Sequence, residues 1–255
     1  MSQFATTCAV LTVRATPRRA QRARPARDPR EVMNGVLWIL RTGARWQDLP
    51  ERFSPYQTCH RRFSAWAGAG ILEKALKALT RHLRRYGDFD LSEWFIDGSF
   101  VGAKKGAVPS ARPKRGKGTK LMAVANRDGA PVAIHIESAS PSEVRLVEAT
   151  LARRFTTSKS PERLIGDKAY DSDPLDQALA DQGVEMIAPH RANRTRARTQ
   201  DGRVLRRYRH RWKIERLFAW LHNFRRLVVR YEYKPENFLA FVQLACLIIL
   251  MRMYF

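Results

Sequence analysis

Two short apolar runs that each close on an aspartate constrain this chain more than any other feature. Trp94-Phe95-Ile96-Asp97 and Leu164-Ile165-Gly166-Asp167 read as buried strands, too short for helices. Between them, residues 121–125 and 131–136 flank Asn126-Arg127-Asp128-Gly129, a hairpin with a Gly-containing turn. Ser140-Pro141 then opens a helix expected over 142–155, with Val144, Val147, Ala149 and Leu151 as its apolar residues. Beyond Asp167 come a helix from Asp173-Pro174 to Gly183, a strand over 184–188, and a long helix from about Leu205 to Leu227. Strand, hairpin, helix, strand, helix, strand, helix is the order of a mixed α/β sheet covered by helices.

A small all-helical unit precedes the sheet. Asp28-Pro29-Arg30-Glu31 combines an N-cap, a proline at the first helical position and an acid three residues after the cap. That helix should stop at Gly43. A second opens at Ser54-Pro55 and closes at Gly68 and Gly70, and a third runs from Ile71 to about Arg85. Three short helices with arginines outside fit a helix-turn-helix-like DNA-binding unit, and equally a helical cap that reads no bases. Residues 1–27 hold six arginines and no carboxylate, with Pro17 and Pro25 among them, and read as a flexible basic arm. The expected division is therefore arm 1–27, helical domain 28–88 and α/β domain 89–255 with a basic insert at 190–207.

Charge narrows the partner. Against 24 acids stand 47 lysines and arginines, a net +23 that points to a polyanion, nucleic acid first. A hydrophobic content of 44% excludes a disordered or fibrous chain. Cys8, Cys59 and Cys246 form no C-x-x-C pair, so no zinc knuckle or disulfide framework is available, and reduced thiols in a cytosol fit best. The strongest apolar run, 244–251, is bounded by Gln243 and Arg252 and reads as a buried C-terminal helix rather than a membrane span. No secretory signal is visible, so a cytoplasmic protein without a membrane partner is expected.

Acids are the minority here, which makes their positions informative. Strand ends are where functional groups collect in such sheets. If the two strands are neighbours, Asp97 and Asp167 converge and repel unless a cation lies between them, and Mg²⁺ takes oxygen ligands of this kind. The plainer alternative is that both merely begin turns. A third acid lies on the long helix: Glu215 sits about 40°, His222 about 20° and Tyr208 about 60° around the helix from Arg211, one stripe bordering the apolar arc. Alone, Arg211–Glu215 would be an ordinary surface pair. Basic residues crowd the same places: Lys120 in a Gly/Lys-rich loop over 104–120, Lys168 beside Asp167, and Arg191 and Arg194 in the insert leading to Glu215.

Phe95-Ile96-Asp97-Gly98-Ser99, the segment from Leu164 to Asp171 and the Tyr-x2-Arg-x3-Glu stripe together resemble the DDE transposases of bacterial insertion sequences, the insertion sequence five family above all. The resemblance covers residues 28–255. It implies an RNase H-like catalytic domain in which Asp97, Asp167 and Glu215 hold two Mg²⁺ or Mn²⁺ ions. It also implies metal-dependent cleavage and strand transfer at terminal inverted repeats, with double-stranded DNA as partner, a homodimer bringing two ends together, and a place at the bacterial nucleoid. Lys120, Lys168, Arg191, Arg194, Tyr208, Arg211 and His222 become the candidate DNA contacts. Two departures stand out: His222 occupies a position where the family usually has Lys, and the stretch before Asp28 is Arg/Ala/Pro-rich where relatives carry an apolar helix. A catalytically inactive DNA-binding remnant that represses the element, and a nuclease without strand transfer, are the competing functions. Tyr170 or Tyr208 as a recombinase-type nucleophile would not call for a carboxylate triad.

Overall fold

The computed structural model describes residues 27–87, 89–104, 118–156, 160–200 and 202–255. The arm expected over 1–27, apart from Arg27, and the centre of the Gly/Lys-rich loop lie outside the described residues. Helix α1 (Pro29–Thr42) starts as its sequence dictates: the Asp28 carboxylate accepts the Arg30 N–H at 2.9 Å, and Gly43 ends the helix in the left-handed region at φ 70°. Helices α2 (Tyr56–Gly68) and α3 (Ile71–Arg85) follow, with a 3₁₀ turn, Trp46–Asp48, in the connection from α1.

A six-stranded sheet comes next, formed by β1 (Glu93–Ala103), β2 (Gly118–Ala125), β3 (Pro131–Ser138), β4 (Arg163–Ile165), β5 (Glu185–Ile187) and β6 (Val229–Arg230). Its order is β3-β2-β1-β4-β5, with β6 paired to the far end of β1. The first three strands are antiparallel, and β1, β4 and β5 are parallel. The β2–β3 turn closes because Asn126 Oδ1 accepts N–H groups from Asp128 (3.0 Å) and Ala130 (2.8 Å), while Gly129 takes φ 86°. Helices α4 (Val147–Ala152), α5 (Asp173–Ala180), α6 (Gly202–Leu205), α7 (Trp212–His222), α8 (Arg225–Val228) and α9 (Pro235–Tyr254) complete the chain. This is the RNase H-like arrangement of a mixed sheet flanked by helices.

Three expectations need correction. Strand β1 does not end at Asp97: Ser99, Phe100 and Val101 pair on with Leu121, Lys120 and Thr119, so Asp97 stands mid-strand and Lys120 belongs to β2, not to a loop. The helix expected over 142–155 is a 3₁₀ turn, Glu143–Leu146, followed by the short α4, because Phe155 leaves the helix to bury its ring and donate its N–H to Val132 O at 2.8 Å. The long helix expected from 205 to 227 is broken twice. A 3₁₀ turn, Arg206–Arg211, is held to the sheet by an ion pair between Arg207 and the buried Glu93 at the head of β1. After α7, the buried Phe224 takes extended backbone and turns inward.

Helix α9 is long and apolar enough to cross a membrane by composition, yet 67% of its apolar window is buried inside the protein, as a core helix should be. It packs on α2, α3, β3 and α7. The Phe63 and Phe241 rings lie 4.2 Å apart, and Asn237 Nδ2 donates to Ser64 Oγ at 3.0 Å. The N-terminal helices therefore share their core with the C-terminal helix. Cys59 and Cys246 are buried free thiols.

Candidate active site

The parallel register of β1 and β4 brings the two aspartates together. Phe95 pairs with Ile165, and each strand carries its aspartate two residues further on, where β4 ends. Asp167 leaves the sheet as the cap of a 3₁₀ turn, Lys168–Tyr170, its carboxylate accepting the Ala169 N–H at 2.8 Å. Asp97 Oδ1 accepts the Gly98 N–H at 2.8 Å, and its Oδ2 accepts Arg211 Nη2 at 2.6 Å. Arg211 Nη1 in turn donates to Glu215 Oε1 at 2.6 Å. One guanidinium thus bridges an acid of the central strand and an acid of α7. The i,i+4 relation survives the break in the long helix because Arg211 itself keeps helical backbone, φ −60° and ψ −22°. Burial pushes the Asp97 carboxyl above its ordinary value; Arg211 opposes the shift and the nearby Asp167 adds to it. Tyr208 lies half-buried beside Arg211.

A fourth acid, missed from the sequence, joins them. Glu143 heads the 3₁₀ turn after β3, accepts a hydrogen bond from the buried Tyr170 hydroxyl (3.3 Å), and lies 3.9 Å from Lys120 Nζ. Burial raises its carboxyl, Lys120 lowers it, and Asp97 and Asp167 raise it again, so all three acids share one electrostatic neighbourhood. The only sequence signal was an acid in the first turn of an expected helix, where acids are common for another reason. Tyr170 is fully buried, and its phenol is pushed far up, first by burial and then by Glu143, Asp97 and Asp167. It is no nucleophile.

Among the described residues no three acids, histidines or cysteines stand close enough to grip one ion as they are placed. The Arg211 side chain lies between Asp97 and Glu215. The donor set still fits a divalent cation. All its members offer hard carboxylate oxygens, the set preferred by Mg²⁺ and Mn²⁺, and the bound guanidinium shows that Asp97 and Glu215 already share a positive charge.

The basic candidates divide. Lys168 is exposed beside Asp167. Arg191 caps the turn behind that aspartate, donating to the Lys168 carbonyl (3.0 Å) and the Ala169 carbonyl (2.6 Å). Lys120 donates to Pro141 O at 2.7 Å. His222, at the exposed end of α7, lies against Phe218 with ring centroids 6.5 Å apart. Arg194 braces the insert, its guanidinium pairing with Asp171 (2.7 Å) and Asp173 (2.6 Å). Asp176, next to that network, is pushed up to about 6 by burial and then by Asp173 and Asp171, and its Oδ1 meets no hydrogen-bond partner. A folded-state pKa above the ordinary 3.8 means that the charged form costs stability as pH rises from about 4 through 6. Asp176→Asn should therefore raise the melting temperature at pH 7.5 by about 2–4 °C and flatten its pH dependence between 4 and 6. Thermal melts across pH check this; an unchanged profile would refute it.

A family model described as "Transposase DDE domain" matches residues 89–250, and one described as "Putative transposase of IS4/5 family" matches residues 2–76. The chain is 33% identical over 153 residues to the "Putative transposase for insertion sequence element IS402" of Burkholderia cepacia, spanning 57% of this chain and 68% of that one. It is 32% identical over 137 residues to the "Putative transposase for insertion sequence element IS6501" of Brucella ovis, spanning 52% of this chain and 98% of that one. Among solved structures it is similar to a piggyBac transposase in a synaptic complex with hairpin DNA, at a TM-score of 0.50 and 11% identity, over 94% of this chain and 69% of that one. At that identity the likeness is one of fold.

Proposed function

The chain belongs to the DDE transposases of insertion sequences, and from that premise we propose that it cuts DNA at the terminal inverted repeats of its element and joins the freed ends to a target, with Asp97, Asp167 and Glu215 as the acids of the reaction. The observation that carries the reading is the Arg211 bridge: acids from positions far apart in the chain meet across one cation, at the parting of β1 and β4. Asp97, Asp167 and Glu215 would hold two Mg²⁺ or Mn²⁺ ions, which supply an activated oxygen nucleophile and stabilise the leaving oxygen when bound. The chain's own residues do the rest. Arg211 offers a planar fork suited to a phosphate oxygen, with Tyr208 packed beside it. Lys168, Arg191, Lys120 and His222 line the approach of a phosphate backbone, positioning it without reading sequence. His222 offers a ring nitrogen that can hydrogen-bond a phosphate oxygen.

The chemistry is hydrolysis of a phosphodiester followed by transesterification, in which a 3′-hydroxyl oxygen bonds to a target phosphorus and the target's own 3′-oxygen leaves. No bond between protein and DNA is formed. Two ends must be held at once, which favours a homodimer, acting in the cytoplasm at the nucleoid. The boundary between the helical unit and the catalytic unit is placed near the gap between the two family matches, 77–88, which begins within α3; the first match, 2–76, spans the arm and the helical unit alike.

The test is a strand-transfer assay on a duplex carrying the element's ends. Wild-type protein with Mg²⁺ is expected to give a joined species. Nicked DNA without joining would reduce the reading to a nuclease, and binding without product under both Mg²⁺ and Mn²⁺ would make the chain an inactive remnant. Affinity for the same duplex should fall with salt, log K against log salt having a slope of about −0.9 per phosphate neutralised; a flat response would refute the backbone contacts.

A further inference from the structure

We propose that Arg191 and Asp171 are positioning residues of this site: through them the basic insert fixes the turn that aims Asp167. The inference rests on the functional reading above and deepens it.

The two aspartates are not held alike. Asp97 stands mid-strand, paired with Ala123 of β2. Asp167 stands beyond the sheet: β4 ends at Ile165, and Gly166 makes the next bond, N–H to Ile187 O at 3.0 Å. A 3₁₀ turn follows, anchored on the inside by Tyr170. That ring folds back so closely on Gly166 that a Cβ there would lie 2.6 Å from Tyr170 Cδ2.

The outside anchor is Arg191. A peptide unit is planar, with its carbonyl and its N–H at opposite edges. The unit between Lys168 and Ala169 offers its N–H to Asp167 Oδ1 at 2.8 Å, and its carbonyl accepts Arg191 Nε at 3.0 Å. The guanidinium that holds one edge therefore sets the direction of the donor at the other. Arg191 Nη2 donates to the next carbonyl, that of Ala169, at 2.6 Å, so one rigid fork holds two successive peptides of the turn.

Asp171 keeps Arg191 in that pose. Its side chain is only 4% exposed; Oδ2 accepts the Arg191 backbone N–H at 2.8 Å and Oδ1 accepts Arg194 Nη1 at 2.7 Å. His190 adds a third donor at 3.0 Å, since its Nε2 accepts the Thr199 N–H (3.2 Å) and the proton is left on Nδ1. Bracing the insert alone would not call for the fork. Arg194 Nη2 already ties it to Asp173 at 2.6 Å, and Gln200 closes its neck, donating to Met186 O (2.9 Å) and accepting the Ala188 N–H (3.2 Å).

Single-turnover joining by the full chain, at saturating end-bearing duplex and beside a binding titration with the same DNA, separates positioning from contact. Arg191→Lys keeps the charge and loses the fork. It should bind the duplex about as tightly as wild type and join it about 10- to 100-fold more slowly. Asp171→Asn removes a negative charge beside the insert, so it should bind no more weakly, yet join about 10-fold more slowly. A mere brace would lower the yield only in step with the folded fraction and leave the rate of the folded, saturated complex unchanged. Arg191→Lys decides the matter should Asp171→Asn fold poorly. If Arg191→Lys joins at the wild-type rate once saturated, while Asp167→Asn is inactive, the proposal fails with the transposase reading intact. If wild type joins no ends, or Asp167→Asn joins them like wild type, the functional reading itself fails and the proposal falls with it.

Discussion

Asp97→Asn should lower the yield of joined DNA by at least about a thousand-fold, roughly 4 kcal/mol of barrier, while leaving the fold in place. Both halves of that expectation come from the surroundings of this one side chain. Asp97 is the acid at the centre of the group: Arg211 reaches it from α7, and Asp167 and Glu143 both lie within its field. Removing its charge would remove an acid that the proposed ions need. The same surroundings protect the fold, because burial already disfavours the charged carboxylate and Arg211 retains Glu215 as partner. A melting temperature within a few degrees of wild type, beside a lost product, is the expected pair of results. Product within ten-fold of wild type, from protein with no contaminating activity, would place the chemistry elsewhere. Glu215→Gln should lose product comparably with even less effect on melting, since that side chain is largely in water.

Much of this site was legible before any coordinates. The aspartate just past β4, the N-cap at Asp28 and the turn ending in Gly129 are local signals, set by two or four neighbouring residues, and each was realised, whereas Asp97 proved to stand mid-strand. The Arg211–Glu215 spacing was legible for the same reason, and it held although the helix around it broke. What escaped needed partners from distant segments. Glu143 joins the acids through Tyr170 and Lys120, on two other elements. Arg194 looked like a free cation because Asp171 and Asp173 stand more than twenty positions earlier in the chain. The break before α7 depends on Arg207 finding Glu93, which is 114 positions away. Charge counts register the residues in such pairs but not that they cancel.

The largest stability effect is expected far from the acids, at Arg226. Its Nε donates to Glu232 Oε1 at 2.7 Å and its Nη2 makes an ion pair with the same oxygen at 2.7 Å, in a pair whose side chains are only 5% and 3% exposed. Nη1 donates to the Ala44 carbonyl at 2.8 Å, just past the end of α1, and the guanidinium lies over the Tyr231 ring at 5.0 Å and the Phe241 ring at 5.9 Å. One side chain therefore joins α1, α8, the segment after β6 and α9, where the helical layer meets the sheet. Arg226→Leu strands the Glu232 carboxylate without a counter-charge, and breaking a buried pair in this way costs about 3–5 kcal/mol. For a chain of this length that is a fall of about 8–15 °C in melting temperature. The converse change, Glu232→Leu, should cost a similar amount, because it strands the guanidinium instead. Replacing both together should recover a large part of either loss, since the desolvation penalty leaves with the charges. Urea titrations of the four proteins give the coupling directly. Single variants each losing less than about 1 kcal/mol would mean that the pair is solvated in solution and does not clamp the two layers. The joining reaction should decline in these variants only as the folded fraction declines, because Arg226 pairs with Glu232 and not with Asp97, Glu143, Asp167 or Glu215.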